Sequence, residues 1–368
     1  MKQICVVPHW DFLRGNKAFT SKSEAVNVAF GLWRQLAAKE GYALNTDDIC
    51  PPQEADAIWL IDLPRKKKSF DRLMSSTKKP TKVVLQQLES PLITPQPHEL
   101  RNQSECDFIL TYESRRSNDP RRFHYKIPNH LVPAKTNPPF SERRCVVMIN
   151  SNKMEGWFGS SRVGTRKFPG FGKYINGWAA PAAQRLSPAR GELYSWRRKF
   201  ARAAEEVQGK VLDIYGRGWN GEPVTWLPSA RPKPYRCAGK DVLVDRETVR
   251  EYHKKIPLIS NYRFGVATEN YQGTKGYISE KLIDVIRAGS VPIYLGDESV
   301  GEVIPSSSFV DVRKFRSHRA LLRYLVNCPE SEWQEMRTEG QSFLASKKAA
   351  VFGVSAFAET AMEILRKL

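Results

Sequence analysis

The sequence predicts an α/β protein built from two doubly wound parallel sheets that face a cleft. Three observations predict it. Short, near-continuous apolar runs alternate with stretches of helical period, the pattern of parallel strands covered on both faces. A Pro-rich segment, KIPNHLVPAKTNPPFSE (126–142), breaks that alternation and reads as a linker. A second alternation then starts at CVVMIN (145–150). A chain of 368 residues has length for about two domains.

The elements follow in order. ICVVP (4–8) is the first strand, and AVNVAFGLWRQLAAKEG (25–41) is a helix that Gly41 stops. AIWLIDLP (57–64), KVVLQQLE (82–89) and DFILTY (107–112) are further strands. Beyond the linker and the strand at 145–150, residues 151–188 carry Gly, Ser, Trp and Pro without period and read as a long functional loop. A helix (190–207), a strand (210–216), a helix (246–255) and a strand (262–268) come next. They are followed by a helix (278–289) and strands at 291–296 and 308–312. Helices near 317–327, 331–350 and 354–367 close the chain. The expected division is a first Rossmann-like domain (1–135), a second (136–330) and a helical tail (331–368).

Composition narrows the function classes. Lys and Arg number 58 against 39 acids, a net charge of +19, which favours polyanionic partners. The charge gathers at RKKK (65–68), RRSNDPRR (115–122) and RRKFAR (197–202), whose plain reading is solvated faces. A nucleic-acid partner is not expected, because no recognition module accompanies the charge. The six cysteines show no C-x-x-C pair or zinc-ligand spacing with His, so they read as reduced, mostly buried thiols and no metal site is expected. No run approaches the ~20 apolar residues of a membrane helix. The start shows no secretory signal. The expected location is the cytoplasm, with a trimmed Golgi catalytic domain as the alternative. The basic patches would allow peripheral contact with an anionic membrane carrying lipid-linked acceptors.

The stretch ATENYQGTKGYISEKLIDVIRAGSVPIYLGD (267–297) carries the chemistry. Ser279 can cap a helix whose first turn holds Glu280 and Lys281, and Leu282, Ile283, Val285 and Ile286 give it an apolar face. A first-turn acid complements the helix dipole, whereas a lysine there is disfavoured by roughly 0.3–1 kcal/mol. A bound anion reverses that sign, and helix N-termini bind phosphates through their free N–H groups. Gly273 and Gly276 allow close backbone approach. The spacing matches neither G-x-x-x-x-G-K-[ST] nor G-x-G-x-x-G. No D-x-D occurs, so the charge that neutralises a leaving phosphate is expected to come from side chains.

The segment FGVATENYQGTKGYISEKLIDVIRAGSVPIYLGDESVGEVIPSSSFVDV (264–312) resembles the donor-binding signature of the α-1,3/α-1,4-fucosyltransferases, glycosyltransferase family 10. The matching elements are Glu269–Asn270, Tyr277, Glu280–Lys281, Ala288–Gly289, Val291–Pro292, Gly296, Pro305 and Ser308–Phe309. VVLQQLESPLITPQ (83–96) is similar to the family's glutamate-serine-proline segment. ARGELYSWRR (189–198) and VLDIYGRG (211–218) are similar to its arginine helix and aspartate-x-tyrosine-glycine strand. The resemblance implies the GT-B fold, two Rossmann-like domains facing a cleft, and an inverting, metal-independent transfer from GDP-fucose. It implies Glu89 as general base, Arg190 on the donor pyrophosphate, and donor contacts from Asn270, Tyr277, Glu280 and Lys281. Thr268 and Gly265 stand where the family carries aromatics.

Each residue also has a plain structural reading. Glu89 precedes a Ser-Pro turn, and Arg190 opens a helix that also bears Arg197, Arg198 and Arg202. Tyr277 suits packing as well as stacking on a ligand, and Asn270 suits a turn. His9 and Trp10 follow the first strand on the acceptor side, with a loop His beside a core Trp as the favoured reading. Trp157, Phe158, Tyr174 and Trp178 could stack on sugars or fill a core. The expected acceptor is an oligosaccharide or glycoconjugate offering N-acetylglucosamine or glucose. The alternatives are a GT-B enzyme with another nucleotide sugar and a non-catalytic polyanion binder.

Overall fold

A computed structural model describes residues 1–368 except 21–23, 64–70, 72, 76–80, 115–117, 136, 153–190, 208, 217–218 and 220–251. The first half contains β1 (Lys2–Pro8), α1 (Ala25–Lys39), β2 (Tyr42–Thr46), β3 (Ala57–Ile61) and β4 (Lys82–Gln86). A single turn α2 (Leu100–Gln103), β5 (Phe108–Thr111) and β6 (Arg122–His124) complete it. The second half contains β7 (Arg144–Ile149), α3 (Tyr194–Glu205), β8 (Leu212–Tyr215), α4 (Tyr252–Ile259), β9 (Tyr262–Thr268), α5 (Glu280–Arg287), β10 (Val291–Leu295) and β11 (Val310–Asp311). It continues through α6 (His318–Asn327), α7 (Glu330–Leu344) and α8 (Val354–Leu365).

Among the described residues two separate parallel sheets form, ordered β2-β1-β3-β4-β5-β6 and β11-β10-β9-β7-β8. β3 and β10 are buried at every residue, which explains their unbroken apolar sequences. In each sheet the order reverses beside the first strand, between β1 and β3 and between β7 and β9. Doubly wound sheets bind ligands outside the carboxyl ends of the strands at such reversals. This is the GT-B architecture. β2 and β6 went unread in the sequence: both are short edge strands, with Asn45 and Arg122 interrupting the apolar pattern.

The tail divides between the halves. Trp333 of α7 packs into the core of the second sheet, and Phe343 and Leu344 into the layer around α5. Helix α8 returns to the first half, where Phe357 lies 5.2 Å from Phe30 and Met362 and Leu365 join the same core. The Tyr42 hydroxyl donates to the Leu365 carbonyl at 3.0 Å. Asn129, on the outgoing connection, donates its N–H to the carbonyl of Phe352, on the returning one, at 2.6 Å. The five described cysteines are free thiols, four of them buried. Among the described residues no helix is long and apolar enough to cross a membrane.

Candidate active site

The β9–α5 corner is built around a buried carboxylate. Glu269 follows β9 and is 0% exposed. It accepts the Ser279 N–H at 2.8 Å and the Ser279 hydroxyl at 2.6 Å. Ser279 in turn caps α5, accepting from the Lys281 N–H. The Lys281 ammonium donates to the Ser279 hydroxyl at 3.0 Å and lies 3.6 Å from Glu269 and 3.5 Å from Glu280. Burial pushes the Glu269 carboxyl above the usual carboxylate range, against the pull of Lys281 and the Ser279 bonds. The dipole-disfavoured lysine is thus anchored from beneath by Glu269, and 15% of its side chain reaches solvent.

Glu280 faces open space, with 42% of its side chain exposed. Partial burial opposes its charge, but Lys281 and Lys255 outweigh that and hold its carboxyl down at about 2. Lys255, on α4, pairs with Asp284 at 2.8 Å. Together with Lys281 it lines a narrow recess at the β7/β9 reversal, walled by Val147, Asn150, Gly265 and Val285. Lys255 is a cation of this site that sequence reading missed, because it sits outside the motif on a helix without a signature. Gly265 leaves no room for a side chain: a Cβ there would lie 2.7 Å from Val285, so α5 presses directly on β9.

Asn270 and Tyr277 are positioned differently. The Asn270 side-chain oxygen accepts from Arg197 at 3.1 Å, and its carbonyl accepts the Leu193 N–H at 3.1 Å. Arg197 is 2% exposed, and burial lowers its pKa. Its guanidinium also donates to the Thr268 hydroxyl at 2.9 Å and the Glu269 carbonyl at 2.8 Å. The expectation of a solvated arginine face fails here: Arg197 is the strut of the corner. Thr268, in place of an aromatic, supplies the small hydroxyl it needs. Tyr277 is 4% exposed and packs across to the first half, its ring 5.0 Å from Tyr112. Gly276 (φ +94°) permits that approach, since a Cβ would lie 2.2 Å from the Tyr112 carbonyl.

Glu89 stands three residues past β4 rather than at the end of the expected strand 82–89. It is half-buried on a turn at the cleft. Burial raises the Tyr277 phenol well above its usual pKa, and the charges of Glu89 and Glu269 add to the rise. Tyr112 joins the halves here: its ring lies 5.0 Å from Tyr277 and its hydroxyl donates to the Glu89 carbonyl at 2.8 Å. The structure thus brings Glu89 and Tyr277 together through Tyr112, and Asn270, Glu280 and Lys281 to the corner around Glu269. Arg190, the loop aromatics Trp157, Phe158, Tyr174 and Trp178, and most of the helix 246–255 lie outside the described residues. Two residues that no motif marks lie beneath Glu89. Asp62 is buried, and burial followed by the charge of Glu89 pushes its carboxyl well up. His98 pairs with Glu113 at 2.9 Å. Among the described residues no group of three His, Cys, Asp or Glu side chains is placed to hold a metal ion.

Residues 196–337 match the family profile "Glycosyltransferase family 10 (fucosyltransferase) C-term". An α-(1,4)-fucosyltransferase of Arabidopsis thaliana is 39% identical over 67 residues, 18% of this chain and 16% of that protein. The α-(1,3)-fucosyltransferase FucT of Helicobacter pylori is 37% identical over 71 residues, 19% of this chain and 15% of that protein. The mouse 4-galactosyl-N-acetylglucosaminide 3-α-L-fucosyltransferase 9 is 37% identical over 108 residues, 27% of this chain and 30% of that protein. The matched segments thus span less than a third of those relatives. In fold, the chain is similar to a crystal structure of an α1,3-fucosyltransferase with GDP-fucose, at a TM-score of 0.52 and 14% identity, covering 99% of this chain and 91% of that one. Anabaena HepE in complex with UDP-glucose has the same TM-score at 10% identity, with full coverage of both chains. Residues 196–337, which include the corner that surrounds Lys281, thus match the C-terminal domain profile of glycosyltransferase family 10.

Proposed function

We propose that the protein is an inverting fucosyltransferase. It moves L-fucose from GDP-fucose to a hydroxyl of an N-acetylglucosamine or glucose residue in a glycan, forming an α-1,3 or α-1,4 linkage. The observation that carries this reading is the link through Tyr112, whose hydroxyl donates to the Glu89 carbonyl at 2.8 Å and whose ring lies 5.0 Å from Tyr277, two residues before the cap of the Glu280–Lys281 helix. One half supplies an acid–base group and the other an anion-binding helix end, as transfer from a nucleotide sugar requires. The family match supports a fucose donor, and GDP-fucose is the donor named for a structural relative.

In this reading the acceptor oxygen attacks the anomeric carbon of fucose from the face opposite GDP. The bond from that carbon to the β-phosphate oxygen breaks, and its electron pair leaves with GDP. The acceptor proton passes to the Glu89 carboxylate. Positive charge builds on the sugar ring while negative charge builds on the diphosphate, which Lys281 meets from the end of α5, with Lys255 beside it. Arg190 is assigned to the same diphosphate by position in the motif. Glu280, held ionised and open to the crevice, accepts hydrogen bonds from sugar or ribose hydroxyls. Asn270, its amide oriented by Arg197, offers its NH2 to the donor. No divalent ion is assigned to the site.

Glu89→Gln tests the reading. General-base removal of a proton contributes about 10²–10⁴-fold, so transfer should fall by that factor while GDP affinity stays within about twofold. Equal losses in binding and turnover would contradict the role. A nucleotide screen of GDP against UDP by thermal shift tests the donor, and stabilisation by UDP alone would reassign it.

A further inference from the structure

Glu89 projects from a turn, and a base on a turn acts efficiently only if its peptide units are held in place. Both of them are held. On the amino side, Asp62 follows β3 in the left-handed conformation at φ +55°. Few residues besides Gly adopt this conformation, Asp and Asn among them, and such positions gather at functional sites. Here it turns the Asp62 carboxylate under the 88–89 peptide. Asp62 accepts the Leu88 N–H at 3.0 Å and the Glu89 N–H at 3.2 Å. Its own N–H donates to the Gln86 carbonyl at 2.8 Å, which pins the turn to β4.

On the carboxyl side, the Glu89 carbonyl accepts from the Tyr112 hydroxyl at 2.8 Å and lies 3.1 Å from His98 Nε2. His98 Nδ1 is 2.9 Å from the Glu113 carboxylate. Glu113 is fixed in turn, its N–H donating to the Thr111 hydroxyl at 3.0 Å. The ends of β3 and β5 thus grip the turn after β4 from two directions. The grip is made on the main-chain atoms of Glu89.

We propose that Asp62 and the His98–Glu113 pair are positioning residues that hold the Glu89 carboxylate in register with the acceptor hydroxyl. This rests on Glu89 being the base. A merely structural role would lower stability alike whatever stands at position 89. A positioning role loses its effect on rate once the carboxylate is gone.

The test is a kinetic double-mutant cycle of Asp62→Asn and Glu89→Gln, with a second cycle of His98→Gln and Glu89→Gln. Asn tolerates the left-handed backbone and keeps one acceptor, so the fold is spared while one N–H loses its partner. Transfer is followed with radiolabelled GDP-fucose and whichever of lactose and N-acetyllactosamine the wild type uses faster. GDP affinity is measured alongside. Asp62→Asn and His98→Gln should each lower kcat by about 10–100-fold, with the GDP Kd within about twofold. In the Glu89→Gln background each should add less than about threefold. Losses undiminished in that background, or kcat within twofold of wild type for both single variants, would overturn the proposal. If Asp62→Asn shows no cooperative melt, the His98→Gln cycle decides alone. Full transfer by Glu89→Gln would overturn the base assignment itself and the positioning role with it.

Discussion

Replacing Lys281 by Met separates the two roles that the β9–α5 corner gives this lysine. The ammonium lies 3.6 Å from the carboxylate of Glu269, which is 0% exposed. With an effective dielectric constant of ~20, that separation corresponds to about 5 kcal/mol of attraction. Desolvation offsets part of it, and breaking a buried pair typically costs about 3–5 kcal/mol. Glu269 keeps its two bonds from Ser279, so the expected loss of stability near neutral pH is about 2–4 kcal/mol. The loss should depend on pH in a defined direction. The folded carboxyl of Glu269 already titrates above its unfolded value, and removing Lys281 raises it further. Between the two values the folded state binds more protons than the unfolded one, so stability rises as pH falls through that window. The penalty is therefore largest near pH ~8 and shrinks toward pH ~5, as read from urea unfolding of both proteins. The second role is read by calorimetry with GDP. A hydrogen bond from a charged group is worth about 1.5–3 kcal/mol, so affinity should fall by about 10–100-fold. A stability penalty equal at both pH values would refute the Glu269 argument. An unchanged GDP Kd would refute the diphosphate role.

Arg197→Lys keeps the charge but loses the planar fork that reaches Thr268, Glu269 and Asn270, and should cost about 2–4 kcal/mol in urea unfolding while weakening GDP binding. Gly276→Ala forces a Cβ against the Tyr112 carbonyl at φ +94°, and should cost at least about 1–3 kcal/mol and loosen the contact between Tyr112 and Tyr277, seen as faster amide exchange at 276–277. Transfer should persist in excess EDTA, because the assigned diphosphate partners are side chains; strict dependence on an added divalent ion would contradict the scheme.

The parts of the fold legible in the sequence were those where local pattern and tertiary role coincide. β3 and β10 are buried on both faces, so their apolar runs are unbroken, and their expected positions, like that of β9, agree closely with the structure. The cap, first turn and apolar face of α5 were equally plain, since capping and periodicity are local. β2 was not, because its alternating burial mixes Asn and Thr into a short edge strand. The β9–α5 corner was visible through its motif, but its supports were not. Arg197 looks like one more arginine on a basic helix until the fold buries it, and Asp62, His98 and Lys255 act through distances that only the folded chain creates. Tyr277 shows the same limit: its sequence suits packing and stacking alike, and the fold sets it against Tyr112.

The connection out of the first half and the strand of chain that comes back run side by side, joined where Asn129 meets Phe352 and Gly353. The two crossings are thus tied at one place, and the halves also meet where the Ser114 N–H donates to the Lys275 carbonyl at 3.0 Å. Clipping the chain after Phe352 would do more than shorten it: the tie at Asn129 would lose its partner segment, and Phe30 and Trp33 would lose the cover that Phe357 gives them.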